Sequence, residues 1–322
     1  MPHQLRIRVL FACFLRAVGR LAGKGPAAGA RHTLTRSDAR CAWHHHYAVL
    51  ASLVAVVHGT PLYAQQRPLT VEDPETIGNG RVLVEAGIGH ESSVELPIYG
   101  LEGDIQRLPS IGLSFGLGSI AEFQLDSGYT RMHVTSRGPG PLASALTFSG
   151  DSTGAVEDVV VGTKIKIVPE TAGRPGFGVR FATKLPNAST ESGLGTDMTD
   201  FAMTLLIGKT VESVRVVGNV GFAILGDPTR LATQHDPLLY GLSLARAVKP
   251  GLEVVGELAG RWLPSQSDAP AAENRSALRA GIRYTYKTVR VDGGAIMGLT
   301  DIDPTPGFTV GVTWVFDAFK TP

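Results

Sequence analysis

Apolar and polar residues alternate through most of the chain after residue 80, which is the period of β-strands with one apolar face. In the stretch 307–316, for example, Phe308 and Val310 fall on one face while Thr309 and Thr313 fall on the other. Helical periodicity is hard to find in the same region. The pattern predicts about twelve strands, at 81–90, 107–117, 121–130, 157–168, 176–185, 198–209, 212–224, 236–247, 251–262, 276–287, 289–299 and 307–316.

The connections between these strands alternate between long and short. Long ones such as 91–106 and 135–156 are rich in Gly and polar residues, whereas short ones such as 118–120 carry turn residues. Long outer loops and tight inner turns are typical of transmembrane barrels, and an even strand number places both termini in the periplasm. We therefore predict an all-β protein, a transmembrane antiparallel up-and-down β-barrel of about twelve strands over 81–316.

Charged residues recur at strand centres opposite the apolar face, as at Lys164, Arg180 and Glu257. A charge facing lipid at mid-bilayer would cost about 2–4 kcal/mol, so the charged face is expected to line a wet lumen. A soluble periplasmic β-sandwich also alternates and is the alternative architecture. The candidate lumen-lining residues are Glu122, Asp126, Lys164, Lys166, Arg180, Lys184, Arg215, Glu253, Glu257, Arg261, Arg279, Arg283, Arg290 and Asp292.

The N-terminal part of the chain has the layout of an export signal. An apolar run at 47–57 follows Arg40, and Ala64 offers a small residue for cleavage. The run is too short for a transmembrane helix, which needs ~20 apolar residues. The resulting assignment is a leader with signal peptide at 1–64, cleaved near 64/65, an irregular periplasmic N-terminal segment at 65–80, the barrel at 81–316 and a C-terminal extension at 317–322.

Composition narrows the possible functions. The chain has 39 glycines, about 12% against the usual ~7%, which favours tight turns and close strand packing. Both cysteines, Cys13 and Cys41, lie in the leader, so no disulfide or thiolate metal site is expected in the mature chain. The residues after 64 carry a net charge of about −6, which argues against nucleic acid as a partner. No cofactor motif is present, and no cofactor or metal is predicted.

Several segments resemble a known family of outer-membrane proteins. They include LPIYGLEGD at 96–104, VEDVVVGTKIKI at 156–167, PGFGVRFATKLPN at 175–187 and GAIMGLTDIDPTPGFTVGVTWVF at 294–316. These segments are similar to sequences grouped as the MetA-pathway of phenol degradation family, and the likeness covers nearly all of 81–316. The resemblance implies an outer-membrane location in a Gram-negative bacterium and a channel or transporter role. It assigns no functional residues.

We therefore expect a channel, not an enzyme, that passes small molecules by passive diffusion steered by lumen charges. Aromatic or hydrophobic compounds are among the expected solutes, and the loops 91–106 and 135–156 are the expected gates. The expected partners are outer-membrane lipid, the small-molecule solute and the barrel-assembly machinery, which would read the aromatic end of the chain at Phe316 or Phe319. The sequence leaves the solute, the direction of transport and the oligomeric state open.

Two other functions fit the same sequence. One is a closed barrel with a structural or surface-binding role, because a twelve-stranded lumen lies between the filled and the open sizes. The other is a hydrolase at the outer rim, whose best candidate group is His133 near Ser136. A solvated histidine at the end of a strand is the simpler interpretation of His133.

Overall fold

The computed structural model describes residues 67–230, 232–264 and 273–319. The predicted leader at 1–64, with its apolar run at 47–57 and the cleavage position, lies outside the described residues. The last three residues of the predicted C-terminal extension do so as well.

The described chain is almost entirely β-structure. It contains two single-turn 3-10 helices, Ala143–Ala145 and Thr190–Ser192. No helix in the described part of the chain is long and apolar enough to cross a membrane. The strands are β1 (Arg81–Leu96), β2 (Leu101–Leu117), β3 (Ala121–Arg137), β4 (Ser152–Val156), β5 (Val160–Val168), β6 (Gly176–Lys184), β7 (Asp200–Val211), β8 (Val214–Gly226), β9 (Gln234–His235), β10 (Leu238–Lys249), β11 (Leu252–Trp262), β12 (Arg275–Tyr286), β13 (Val289–Gly298) and β14 (Gly307–Asp317).

The strands form one closed antiparallel ring. The short strands β4 and β9 pair only with β3 and β8, and β8 pairs directly with β10, so twelve strands make the wall. The ring closes where β14 pairs with β1, from Arg81 opposite Asp317 to Glu91 opposite Gly307. The predicted fold class, an all-β up-and-down barrel of about twelve strands, is confirmed.

One predicted loop is wrong. Residues 91–106 are mostly paired strand, because β1 and β2 continue outward to a turn at 97–100. The outer ends of these strands form a buried apolar cluster, which gives the extra pairing a reason to form. We call it the outer cluster, and its members are Val94, Ile98, Tyr99, Leu101, Ile105, Met132 and Val134, packed against Leu142, Leu146, Phe148 and Leu194.

The apolar residues of the wall face outward, and the charged ones face inward. Along β14, for example, Phe308, Val310 and Trp314 are each about half exposed, whereas Thr313 between them is fully buried. Lys164 and Glu122, on β5 and β3, are also fully buried. This is the reverse of a soluble barrel, because the wall exposes its apolar side chains and encloses its ions. An apolar belt of this kind suits acyl chains.

Candidate functional site in the barrel lumen

Residues 67–80, here called the lumen segment, run inside the barrel in irregular conformation. They contact residues on opposite sides of the ring, such as Lys164 on β5, Glu257 on β11 and Thr309 on β14. A segment can reach all of these strands only from the interior of a closed wall. The sequence predicts an irregular periplasmic segment here. In the structure its backbone is irregular, and it lies inside the wall, where side chains of the lumen are partners for its backbone and its charges.

Side chains of the wall hold the backbone of the lumen segment. Asn219 of β8 clamps residue 72: its Oδ1 accepts from the N–H of Glu72 and its Nδ2 donates to the carbonyl oxygen, both at 2.8 Å. Glu257 of β11 accepts from the N–H groups of Thr70 and Val71. These bonds satisfy backbone groups of a segment that pairs with no strand; the groups of Val71 and Glu72 are buried and would cost free energy if they had no partner.

Further down the segment, Glu122 of β3 accepts from the N–H of Ile77 at 2.8 Å. At the other end, Nε of Arg283 on β12 donates to the carbonyl oxygen of Arg67 at 2.7 Å. The wall therefore holds the segment's backbone at both ends and at its centre.

The acidic residues of the lumen segment meet basic residues of the wall. Glu72 contacts Nζ of Lys164 at 3.2 Å and Nε of Arg180 at 2.9 Å. Asp73 and Arg215 form two parallel hydrogen bonds of 2.7 and 2.8 Å, the geometry that gives arginine–carboxylate pairs their strength. Burial acts to raise the pKa of Glu72, but the charges of Lys164 and Arg180 outweigh it and hold that pKa below its ordinary value.

Arg215 also pairs with Glu170, which lies in the inner turn between β5 and β6. Burial acts to raise the pKa of Glu170, but the hydrogen bond from the N–H of Thr210 and the charge of Arg215 keep that pKa below its usual range. Just above this turn, Glu75 pairs with Lys166 of β5 at 3.0 Å. Ion pairs therefore continue from mid-lumen to the inner rim.

Inward-facing glycines make room for the segment. A Cβ at Gly87 or Gly311 would collide with the guanidinium of Arg67, and one at Gly208 or Gly241 would press on Pro74 or Val71 respectively. Part of the high glycine content is thus explained by inward positions on several strands that carry no side chain and leave room for the lumen segment.

The predicted lumen-lining residues fall into three groups. Most contact the lumen segment directly: Glu122, Lys164, Lys166, Arg180, Arg215, Glu257, Arg279, Arg283 and Asp292. Three others, Asp126, Glu253 and Arg290, pair with residues of the wall: Asp126 is 3.8 Å from Arg180, and Glu253 is 3.6 Å from Arg290. The last two, Lys184 and Arg261, line a cavity nearer the outer end.

Two cavities lie along the lumen. The outer one, of about 350 Å³, is lined by Tyr99, Leu194 and Leu225 together with ionised groups such as Lys184 and Arg261. The inner one, of about 260 Å³, is bounded below by Arg67 and Leu69 of the lumen segment. Glu157 and Asp158 line both cavities. The two cavities therefore adjoin at these residues, between the outer end and the lumen segment, and together they are called the path here.

The outer cluster covers part of the outer cavity. Tyr99, at its tip, donates its hydroxyl hydrogen to the carbonyl oxygen of Gly195 in the loop 185–199. Burial raises the pKa of Tyr99 to about 12, so the hydroxyl keeps its proton and remains a donor at physiological pH. The turn 97–100 is thereby fixed to the opposite loop above the path.

The rim-hydrolase hypothesis gains a different serine–histidine pair from the one predicted. His133 is exposed on the outer face of β3. Instead, Nε2 of His90 lies 3.1 Å from Oγ of Ser92. The N–H of Ser92 is taken by the carbonyl of Pro306, and the next N–H by Asp104, so neither is available to stabilise an oxyanion.

The sequence left open whether residues 65–80 or a loop fills the lumen, and sequence reasoning missed Asn219, which has no charge to mark it. The acidic cluster of the segment, Glu72, Asp73 and Glu75, was the available signal, because it complements the basic residues predicted on the inner wall.

A closed wall of twelve strands, apolar outside and ionic inside, defines the architecture of outer-membrane β-barrel proteins. The fold is similar to that of an outer-membrane channel from Pseudomonas putida F1, with a TM-score of 0.54, 15% identity, and coverage of 76% of this chain and 98% of that one. At this identity the likeness shows a shared fold.

Other similarities are weaker. The outer membrane phospholipase A from Escherichia coli has a TM-score of 0.42 at 11% identity, covering 80% of this chain and 98% of that one. A mutant of the monoaromatic hydrocarbon channel TodX has a TM-score of 0.39 at 11% identity, covering 76% and 93%. No family model matches the sequence, and no curated protein matches it.

Proposed function

We propose that this protein is an outer-membrane channel that passes small molecules by passive diffusion, and that the lumen segment is its closure. One observation carries the proposal: a closed barrel with an apolar outer face contains two adjoining cavities, and the inner one is bounded by Arg67 and Leu69 of a segment that belongs to no strand of the wall. Non-covalent contacts hold this segment, so its displacement would join the path to the inner rim.

The gate in this proposal differs from the expected gates. The loops 91–106 and 135–156 are the gates that the sequence suggests, yet the first is a paired hairpin anchored by the outer cluster. The lumen segment, by contrast, has irregular backbone and lies directly across the path. We therefore assign gating to residues 67–80.

Small aromatic or hydrophobic compounds are the solutes we favour. The outer cavity combines Tyr99, Leu194 and Leu225 with ionised side chains, which suits a compact apolar molecule that carries a polar group. The resemblance of segments such as 156–167 to the MetA-pathway of phenol degradation family supports a channel role and the outer-membrane location. Lumen charges such as Lys184 would steer the polar group.

Residence in the outer membrane is part of the proposal. The predicted leader would export the chain, and the barrel-assembly machinery would insert it by reading the aromatic last strand. The apolar belt would then contact outer-membrane lipid. Fractionation provides the check: the protein should require detergent for extraction, and release by salt or alkali alone would instead indicate a soluble periplasmic protein.

Single-channel recording in planar lipid bilayers tests the channel. We expect brief openings from the wild-type protein and frequent ones from Gly311→Leu, because the new side chain would displace Arg67. Gly293→Leu is the matched control, since a Cβ there has no neighbour closer than 3.8 Å. A bilayer that stays sealed at all voltages, with each protein folded, would contradict the proposal.

A closed structural or surface-binding barrel is the second candidate, and the filled inner lumen favours it. Pro74 is fully buried, and Leu69, Val71 and Ile77 are nearly so, as in a permanent core. The recording with Gly311→Leu separates the two functions, because a permanent core would repack or unfold instead of opening.

A further inference from the structure

We infer that the inner half of the lumen is a binding site for an extended acidic peptide, and that the lumen segment is its tethered occupant. The inference deepens the proposed channel function and rests on it in one respect: the segment must be able to leave. What it adds is a ligand class for the emptied site.

The wall recognises a peptide backbone, not only particular side chains. Asn219 pairs with both the N–H and the C=O of residue 72, as a neighbouring strand would. Glu257 and Glu122 accept N–H groups at residues 70, 71 and 77. Such bonds depend on an extended chain in the right place, and any peptide that can follow the same path can form them.

The wall also selects for acidic side chains. Lys164 and Arg180 contact Glu72, and Arg215 holds Asp73 through two hydrogen bonds. When the segment leaves, Lys164 keeps Glu122 at 3.4 Å and Arg215 keeps Glu170, so neither cation is stranded. The vacated groove would nevertheless present several cations that had shared the carboxylates of the segment. An acidic peptide restores those contacts.

The shape of the groove agrees with a peptide of this kind. Pro74 lies where Gly178 and Gly208 leave space, and Pro68 lies against Gly281 and Gly294. Inward side chains at these glycines would narrow the groove. A ligand with an apolar residue, the pair Glu-Asp, and then proline would therefore fit better than a random acidic chain.

Among the described residues, the covalent link between the segment and the wall is the peptide bond from Gly80 to Arg81, the first residue of β1. All its other described contacts are hydrogen bonds, ion pairs and packing, so an untethered peptide can make the same set. The tether supplies effective concentration, and the free peptide is expected to bind more weakly than the segment in cis.

A competition experiment tests the inference on the full chain. The variant Glu72→Gln/Asp73→Asn keeps its segment but loses the carboxylates that pair with Lys164, Arg180 and Arg215. A labelled synthetic peptide of residues 67–78 is added to the folded, detergent-solubilised protein, and its fluorescence anisotropy is recorded. We expect binding to the variant, at least tenfold weaker binding of the same peptide carrying both substitutions, and no binding to the wild type, whose site is filled.

Equal affinity of the two peptides for the variant would overturn the inference, as would the absence of binding. Should the double variant not fold, Gly311→Leu serves with a peptide of residues 69–78, which avoids the collision at Arg67. Anisotropy reports binding without conduction. A folded barrel that binds the peptide but never conducts would contradict the channel proposal alone, whereas one that conducts without binding would contradict only the peptide site.

Discussion

The carboxylate of Glu257 accepts three hydrogen bonds from Thr70: the backbone N–H reaches Oε1 at 3.0 Å and Oε2 at 2.9 Å, and the hydroxyl reaches Oε1 at 2.8 Å. Arg279 donates to the same Oε1 at 2.9 Å. Glu257 is thus a point at which the segment, the wall and the lumen charges are joined, because one side chain neutralises a cation and fixes two residues of the segment.

The substitution Glu257→Gln should weaken the closed state. The substitution removes the negative charge that faces Arg279. It also replaces one of the two carboxylate oxygens that accept hydrogen bonds from Thr70 and Val71 of the segment. The loss of one partner of a buried ion pair costs about 3–5 kcal/mol, and the lower end is expected here because the amide retains one oxygen. Urea unfolding in micelles measures the change. Glu191→Gln, at an exposed position, is the control, and similar losses in both variants would contradict this role.

Tyr99→Phe should loosen the outer loop without affecting the wall. Loss of the hydrogen bond to Gly195 removes about 1 kcal/mol of local stability. This corresponds to a roughly fivefold lower protection of the nearby amides against hydrogen exchange. Hydrogen exchange at residues 193–196 should therefore speed up by about that factor. Exchange in the strands should stay the same. Tyr286→Phe, at a residue that is 64% exposed, should change exchange in neither region.

The wall could be predicted from the sequence because alternation is a local property. Each strand shows its two faces within ten residues, as Phe308 and Thr309 do, and the lipid–lumen difference repeats in every strand. The outer ends of β1 and β2 escaped prediction because Gly100 and Gly103 suggest a loop. Their pairing depends on burial against Met132, which no local pattern shows.

The contents of the lumen could not be predicted in the same way. Asp73 and Arg215 are separated by 142 positions, so their contact follows only after the barrel has closed. Pro68 and Pro74 in the lumen segment suggest irregular structure correctly, but irregularity does not say where a segment lies. The inward position of Gly311 likewise becomes meaningful only when Arg67 is seen beside it.

Val310→Arg tests the orientation of the wall. Val310 is 50% exposed on the outer face of β14, so the new charge would meet acyl chains and cost about 2–4 kcal/mol. Refolding into lipid vesicles under a urea series should show this loss. Thr135→Arg, exposed near the outer end of β3, should show a much smaller one. Equal stability of Val310→Arg and wild type would mean that this face does not meet lipid.

Acid should open the channel through Glu72. The pKa of Glu72 is lowered from 4.5 in the closed state, so the carboxylate stabilises that state above pH 4.5. The stabilisation is lost as the pH falls through the lowered pKa, because a protonated Glu72 gives up its charge attraction to Lys164 and Arg180. Planar-bilayer recordings should therefore show open probability rising as the pH falls below about 4.5.

Glu72→Gln separates this cause from general acid effects. The amide cannot ionise, so the variant should open more often at neutral pH and respond less to acid than the wild type. Glu75→Gln, which removes only the partly exposed contact with Lys166, should keep most of the acid response. An acid response of Glu72→Gln equal to that of the wild type would contradict the role of Glu72 and assign the effect to other groups of the lumen.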